Sequence, residues 1–290
     1  MSQSIRHSHS WSELMGRFAK DMGETDYDMG ALCFADGDGP TVVAELLDDG
    51  RALGMTVDLQ HKPDPALLET YLAANKVGNA QSAGVYAVSP LDDTLLFFRR
   101  LEVAGQYAYG EWVNELQAFE QAARAALQAV PEALEVGASP PQDEGVDHAE
   151  SFKHIWSDFA FTQKLGAEPP ELSANGSYIL ALEGLWHVFV RPDNVRGHIV
   201  LKMAITLLPL LNVDETAVWS SLLQAHTLGQ GTRGAFFAID HEEQELIVWR
   251  SLPMANLDGY ALNEAIDGLA QVARHYTDLL KLDPFATAVA

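Results

Sequence analysis

Basic residues are scarce in this chain. Against 41 aspartates and glutamates stand 18 lysines and arginines, a formal net charge of −23 over 290 residues. That balance repels phosphate backbones and anionic lipid surfaces, which excludes nucleic acid and membrane as partners. Cysteine is scarcer still: Cys33 stands alone, so neither an internal disulfide nor a cysteine-based metal site can form. It lies in the apolar run ALCFAD (31–36), which predicts an inert buried thiol. No apolar run approaches the ~20 residues of a membrane span. The N-terminus, MSQSIRHSHSW, is polar and lacks the apolar segment of a signal peptide. Together these absences predict a cytoplasmic protein.

Signatures of catalysis are missing as well. There is no G-x-S-x-G or S-x-x-K for nucleophilic chemistry, and no G-x-x-x-x-G-K-[ST] or G-x-G-x-x-G for nucleotides. GQGTRG (229–234) is glycine-rich but leads into a strand, not into a helix whose N-terminus could cradle phosphate. DGDGP (36–40) opens like a calcium loop, but Pro40 and Leu47 stand at its fifth and twelfth positions, where ligands are required. It reads as a hairpin turn. His7, His9 and His241 have no ligand spacing that would make a designed metal site. The paired carboxylates Asp92-Asp93 and Glu242-Glu243 fall at hairpin tips, where solvent leaves them ordinary. The expectation is a protein that is not an enzyme and takes no cofactor and no metal.

What the chain does contain is itself, twice. GAFFAIDHEEQELIVWRSL (234–252) has the pattern of a β-hairpin, two apolar runs around an acidic turn. Moving back 151 residues without a gap gives AGVYAVSPLDDTLLFFRRL (83–101), with Phe237 on Tyr86, Leu246 on Leu95, Trp249 on Phe98 and Arg250 on Arg99. The register continues upstream, where ETAVWSSLLQAHTLG (215–229) lies on DPALLETYLAANKVG (64–78). Eight of 38 positions are identical, against about two from ordinary composition. A period this long indicates a duplicated domain, not a short-repeat solenoid. The single charged match within a strand, Arg99 with Arg250, is either an arginine on an exposed face or one in a buried or interface ion pair.

Each half opens with an amphipathic helix, marked by Trp11, Leu14, Met15, Phe18 and Met22 and by Phe152, Ile155, Trp156 and Phe159. Three short strands follow, at 31–36, 41–47 and 52–59, then at 178–183, 186–191 and 198–207, separated by turn residues in an antiparallel meander. A second helix starts behind the Asp64-Pro65 cap, the hairpin comes next, and a long helix closes each half. The order is α-β-β-β-α-β-β-α, an α+β fold in tandem. The acidic, proline-containing stretch 131–150 reads as a solvated linker between a first domain, 1–130, and a second, 151–290. A surplus within 166–177 reads as a loop.

This order, the acidity and the unit of about 130 residues resemble the class I type III secretion chaperones, the Tir chaperone family. The resemblance covers 10–130 and 151–282 and rests on pattern and size. It implies a non-catalytic chaperone-like protein that binds an extended, unfolded segment of a secreted effector. The alternative is a regulatory or scaffold module that reuses the fold without a role in secretion. Family members pair as homodimers through the second helix and the strand after it. Two copies in one chain therefore imply an intramolecular pseudo-dimer, a monomer with an internal pseudo-twofold. Carried over by position, the interdomain interface would use Leu68, Tyr71, Leu72, Val85 and Tyr86 against Trp219, Leu222, Leu223, Phe236 and Phe237. The client-binding patch would draw on Leu14, Phe18, Ile155 and Phe159, residues that could equally pack on their own domain's core.

Overall fold

The computed structural model describes residues 10–23, 31–35, 38–76, 84–102, 107–128, 148–165, 177–182, 186–195, 198–209, 215–227, 231–241 and 243–280. The first half runs α1 (Trp11–Asp21), β1 (Ala31–Phe34), β2 (Val42–Leu47), β3 (Ala52–Asp58), α2 (Leu68–Ala74), β4 (Val85–Val88), β5 (Leu95–Leu101) and α3 (Tyr109–Gln128). The second repeats the order as α4 (His148–Gln163), β6 (Tyr178–Ala181), β7 (His187–Val195), β8 (His198–Pro209), α5 (Glu215–Ala225), β9 (Phe236–Asp240), β10 (Glu245–Pro253) and α6 (Gly259–Leu279). Each half forms one five-stranded antiparallel sheet, ordered β1-β2-β3-β5-β4 and β6-β7-β8-β10-β9.

Local chemistry sets the helix starts. Ser10 accepts the Glu13 N–H while the Glu13 carboxylate accepts the Ser10 N–H, a reciprocal cap that satisfies two otherwise orphaned donors. Asp64 accepts from the Ala66 N–H with Pro65 behind it, starting a short 3-10 turn that leads into α2. Asp258 accepts from the Ala261 N–H and opens α6.

Alternation along the strands then sorts the side chains between two faces. Inner-face residues pack under the helices: Phe97 stacks on Phe119 of α3, and Phe237 meets Tyr276 of α6 edge-on. Trp112, Phe119, Phe152 and Phe237 are among the largest fully buried side chains. The hairpins of the two halves keep the 151-residue register, with Tyr86 opposite Phe97 and Phe237 opposite Val248.

Several sequence expectations need correction. Cys33 is exposed, because on β1 it alternates with buried Leu32 and points away from the helices, opposite Val43. β7 extends through much of the stretch 192–197 that reads as a turn, pairing with β8 from Val188↔Ile205 to Val195↔His198. Pro192 is tolerated there because it lies beyond the end of β6, where among the described residues β7 is paired with β8 alone. α4 begins at His148, inside the stretch assigned to the linker. Residues 1–9, which include His7 and His9, residues 131–147 of the linker and residues 166–176 of the surplus loop lie outside the described residues.

Candidate interaction surfaces

The two halves meet through α2 and α5, which pack on each other while α2 reaches β9 and α5 reaches β4. Leu68, Tyr71 and Leu72 of α2, Val85 and Tyr86 of β4, Trp219, Leu222 and Leu223 of α5, and Phe236 and Phe237 of β9 are all buried. Phe98 of β5 faces Phe236 across the boundary, ring centroids 6.2 Å apart. A small apolar cluster of Leu47, Ala52, Val85, Phe98 and Phe236, with Trp249 against it, joins the halves on the side away from the helices.

A buried polar pair completes this contact. Asn75, just past α2, and His226, just past α5, stand 151 residues apart, and their side chains approach to 3.3 Å. Asn75 locks the strand of its own half: its Oδ1 accepts the Tyr86 N–H at 2.7 Å and its Nδ2 donates to the Tyr86 carbonyl at 3.0 Å. His226 does the matching work in the second half, where its Nε2 accepts the Phe237 N–H at 2.6 Å. Its Nδ1 crosses over to the Tyr86 carbonyl at 2.9 Å. These partners require a neutral ring protonated on Nδ1, and burial pushes the His226 pKa down to about 4. Further polar contacts cross the boundary: Lys76 to Asp240 at 2.8 Å, the Trp249 indole to the Asn75 carbonyl, and the Thr227 hydroxyl to the Val88 carbonyl. Register alone marks Asn75 and His226 as matched positions, but no pattern of residue types marks them as partners.

The two arginines of the repeat sit in ion pairs. Arg99 pairs with Glu115 of α3 within its own half, whereas Arg250 reaches across to Glu102 at 3.6 Å. Glu102 also binds Arg100, whose other carboxylate partner is Asp48. All three arginines are nearly buried, so a stem lying on an exposed face does not describe them. His241 stands 3.8 Å from Glu69, and among the described residues no group of His, Cys, Asp and Glu is arranged to hold a metal ion.

The four residues of the expected client patch are placed differently from the interface set. Leu14, Ile155 and Phe159 are buried against their own halves, and Phe18 is half-buried between Phe34 and Trp112. The exposed apolar surface lies elsewhere. Directly opposed residues share a face of an antiparallel sheet. A row therefore crosses the outer face of the second sheet through Ile179, Phe189, Ala204, Trp249 and Phe236. Ile179 is 38 % exposed, and Phe189, Ala204 and Trp249 are half-buried. The first sheet carries the matching row Cys33, Val43, Thr56, Phe98 and Val85. The rows meet where Phe98 faces Phe236. Phe161, 88 % exposed on α4, stands apart from them.

Residues 160–277 match the Tir chaperone protein (CesT) family model. The second half is Tir-chaperone-like. The solved structures similar to the chain include the ExsC-ExsE complex, at 15 % identity over 49 % of this chain and 100 % of the other, with a TM-score of 0.40. The HopA1-SchA chaperone-effector complex is similar at 16 % identity over 46 % of this chain and 98 % of the other, TM-score 0.38. A third is the heterodimeric ExoU-SpcU complex from the type III secretion system of Pseudomonas aeruginosa, at 17 % identity over 44 % and 99 %, TM-score 0.34. No curated protein matches the sequence of the chain. No helix among the described residues is long and apolar enough to cross a membrane.

Proposed function

We propose that the protein is a non-catalytic type III secretion chaperone that binds an extended, unfolded segment of a secreted effector in the cytoplasm. Its two chaperone-like domains, 1–130 and 151–290, form an intramolecular pseudo-dimer, so that a single chain does what two copies do in the family. The observation that carries this reading is the family match of residues 160–277, on a half whose outer sheet face presents Ile179, Phe189, Ala204 and Trp249. An extended segment lying along that row buries apolar side chains, and the strand edges offer it main-chain hydrogen bonds. Leu14, Ile155 and Phe159 are buried and Phe18 is half-buried in the core of their halves, so the client contact is assigned to the outer sheet face. The acid-rich exterior favours a client that is basic, aggregation-prone, or both.

The test is calorimetry with the N-terminal segment of the protein that co-purifies from the native bacterium, in the absence of nucleotide and with chelator present. Binding of the unfolded segment is expected, and because apolar burial is screened little by salt it should survive moderate salt. Ile179→Asp together with Phe189→Asp should lower affinity at least tenfold, since each apolar side chain contributes ~1–3 kcal/mol when covered. A fluorophore on Cys33, the only cysteine, reports occupancy at the other end of the band. Binding only to a folded partner would replace this reading with a regulatory scaffold, and a requirement for ATP or a divalent ion would replace it with an enzyme.

A further inference from the structure

The interface between the halves is not symmetric in its charges. Three charged-group contacts across it use residues whose twins under the 151-residue register cannot repeat them. Lys76 pairs with Asp240 at 2.8 Å with both side chains mostly buried, but the twin of Lys76 is Thr227 and the twin of Asp240 is Ser89. Arg250 reaches Glu102, whose twin is Pro253. Glu69 faces His241, and their twins are Ser220 and Pro90. On the opposite arm, where Thr227 and Ser89 stand, the contact is a neutral hydrogen bond from the Thr227 hydroxyl to the Val88 carbonyl. The indole N–H that Trp249 donates to the Asn75 carbonyl is likewise one-sided, because its twin is Phe98.

We infer that these one-sided contacts make the pairing directional: a first half accepts a second half and rejects another copy of itself. Two second halves would place Asp240 opposite threonine and Arg250 opposite proline, separating both charges from these cross-boundary counter-ions, the costly arrangement for a desolvated ion. Two first halves would separate Lys76 from Asp240 in the same way. Apolar residues supply adhesion on both arms, and the one-sided charges add a penalty for the wrong pairing. The two flanks of the molecule are therefore always different. A client meets a fixed order of first-half and second-half surfaces, which a homodimer cannot offer. This inference rests on the contact between the halves and not on the effector reading.

The experiment uses two full-length variants, Lys76→Asp and Asp240→Lys. Alone, each opposes like charges inside its own chain. Mixed, unfolded together and refolded, they regain both pairs by exchange. The aspartate introduced in the first variant meets the lysine introduced in the second, and the unchanged Lys76 of the second meets the unchanged Asp240 of the first. The expected result is a species of twice the 31.7 kDa chain mass in the mixture, measured by light scattering, with no such species in wild type. The variant carrying both changes in one chain should return to one-chain mass and recover most of the urea midpoint that the single variants lose. The inference is overturned if the mixture stays at one-chain mass, or if the single variants unfold at the wild-type midpoint. No effector is present in this measurement, so its failure would leave the chaperone reading standing.

Discussion

At the scale of the residue, His226 shows how a buried contact sets a pH window. Around it stand Asn75, the Tyr86 carbonyl, the Phe237 N–H and the ring of Phe236. A protonated ring would turn Nε2 into a donor against the Phe237 N–H, so the folded state binds this proton less well than the unfolded chain does. With a folded pKa of about 4 against 6.5, its stabilisation is complete above pH 6.5. It is lost as pH falls toward 4, by on the order of 3 kcal/mol. Asparagine already performs the matching task at position 75. In urea unfolding at pH 7 and pH 4.5, His226→Asn should therefore lose less stability over the interval than wild type. Equal losses would mean that other groups carry the acid sensitivity. The repeat register makes positions 75 and 226 legible as twins. Their hydrogen bonds are not, because they depend on where two strands from opposite ends of the chain come to rest.

At the scale of the element, amphipathic spacing reads out the helices well and their docking poorly. The apolar stripe of α6 is plain in the sequence, while the reason its first residue is glycine is not. A Cβ on Gly259 would lie 2.2 Å from the Phe159 N, because α6 starts against the backbone of α4. Gly259→Ala should push the two helices apart and destabilise the fold by about 1–3 kcal/mol, read from denaturant unfolding. Gly268 on the same helix is the contrast. Its Cβ would meet only the Arg250 guanidinium, at 3.8 Å. Gly268→Ala should be neutral or stabilising by up to ~1 kcal/mol, through helix propensity. Were both changes neutral, the close approach of α4 and α6 would be wrong. The extension of β7 past Pro192 teaches the same lesson, since proline signals a turn until it is known that no neighbouring strand needs its N–H.

At the scale of the whole molecule, α2 and α5 are packed on each other within one chain, and the proposed intramolecular pairing predicts a monomer. Light scattering at micromolar concentration should give one-chain mass, near 31.7 kDa. Trp219 is buried on α5, and Trp219→Asp would place a carboxylate among Leu222, Leu223 and their partners. A loss of several kcal/mol is expected from an unpaired buried charge. Larger species in the variant would indicate that the opened halves find new partners.

The sequence by itself determined the repeat register and the element order, because periodicity and turn chemistry are local properties. It also brought out matched apolar positions on α2, β4, α5 and β9, all of which are buried. Tertiary structure decided which apolar residues remain available. Leu14, Ile155 and Phe159 have the pattern of a patch and lie in the core, while Cys33 and Ile179 lie within apolar runs and face outward. An apolar stripe records that a face is covered, and only the packed neighbours say whether the cover is the protein's own helix or something still to arrive.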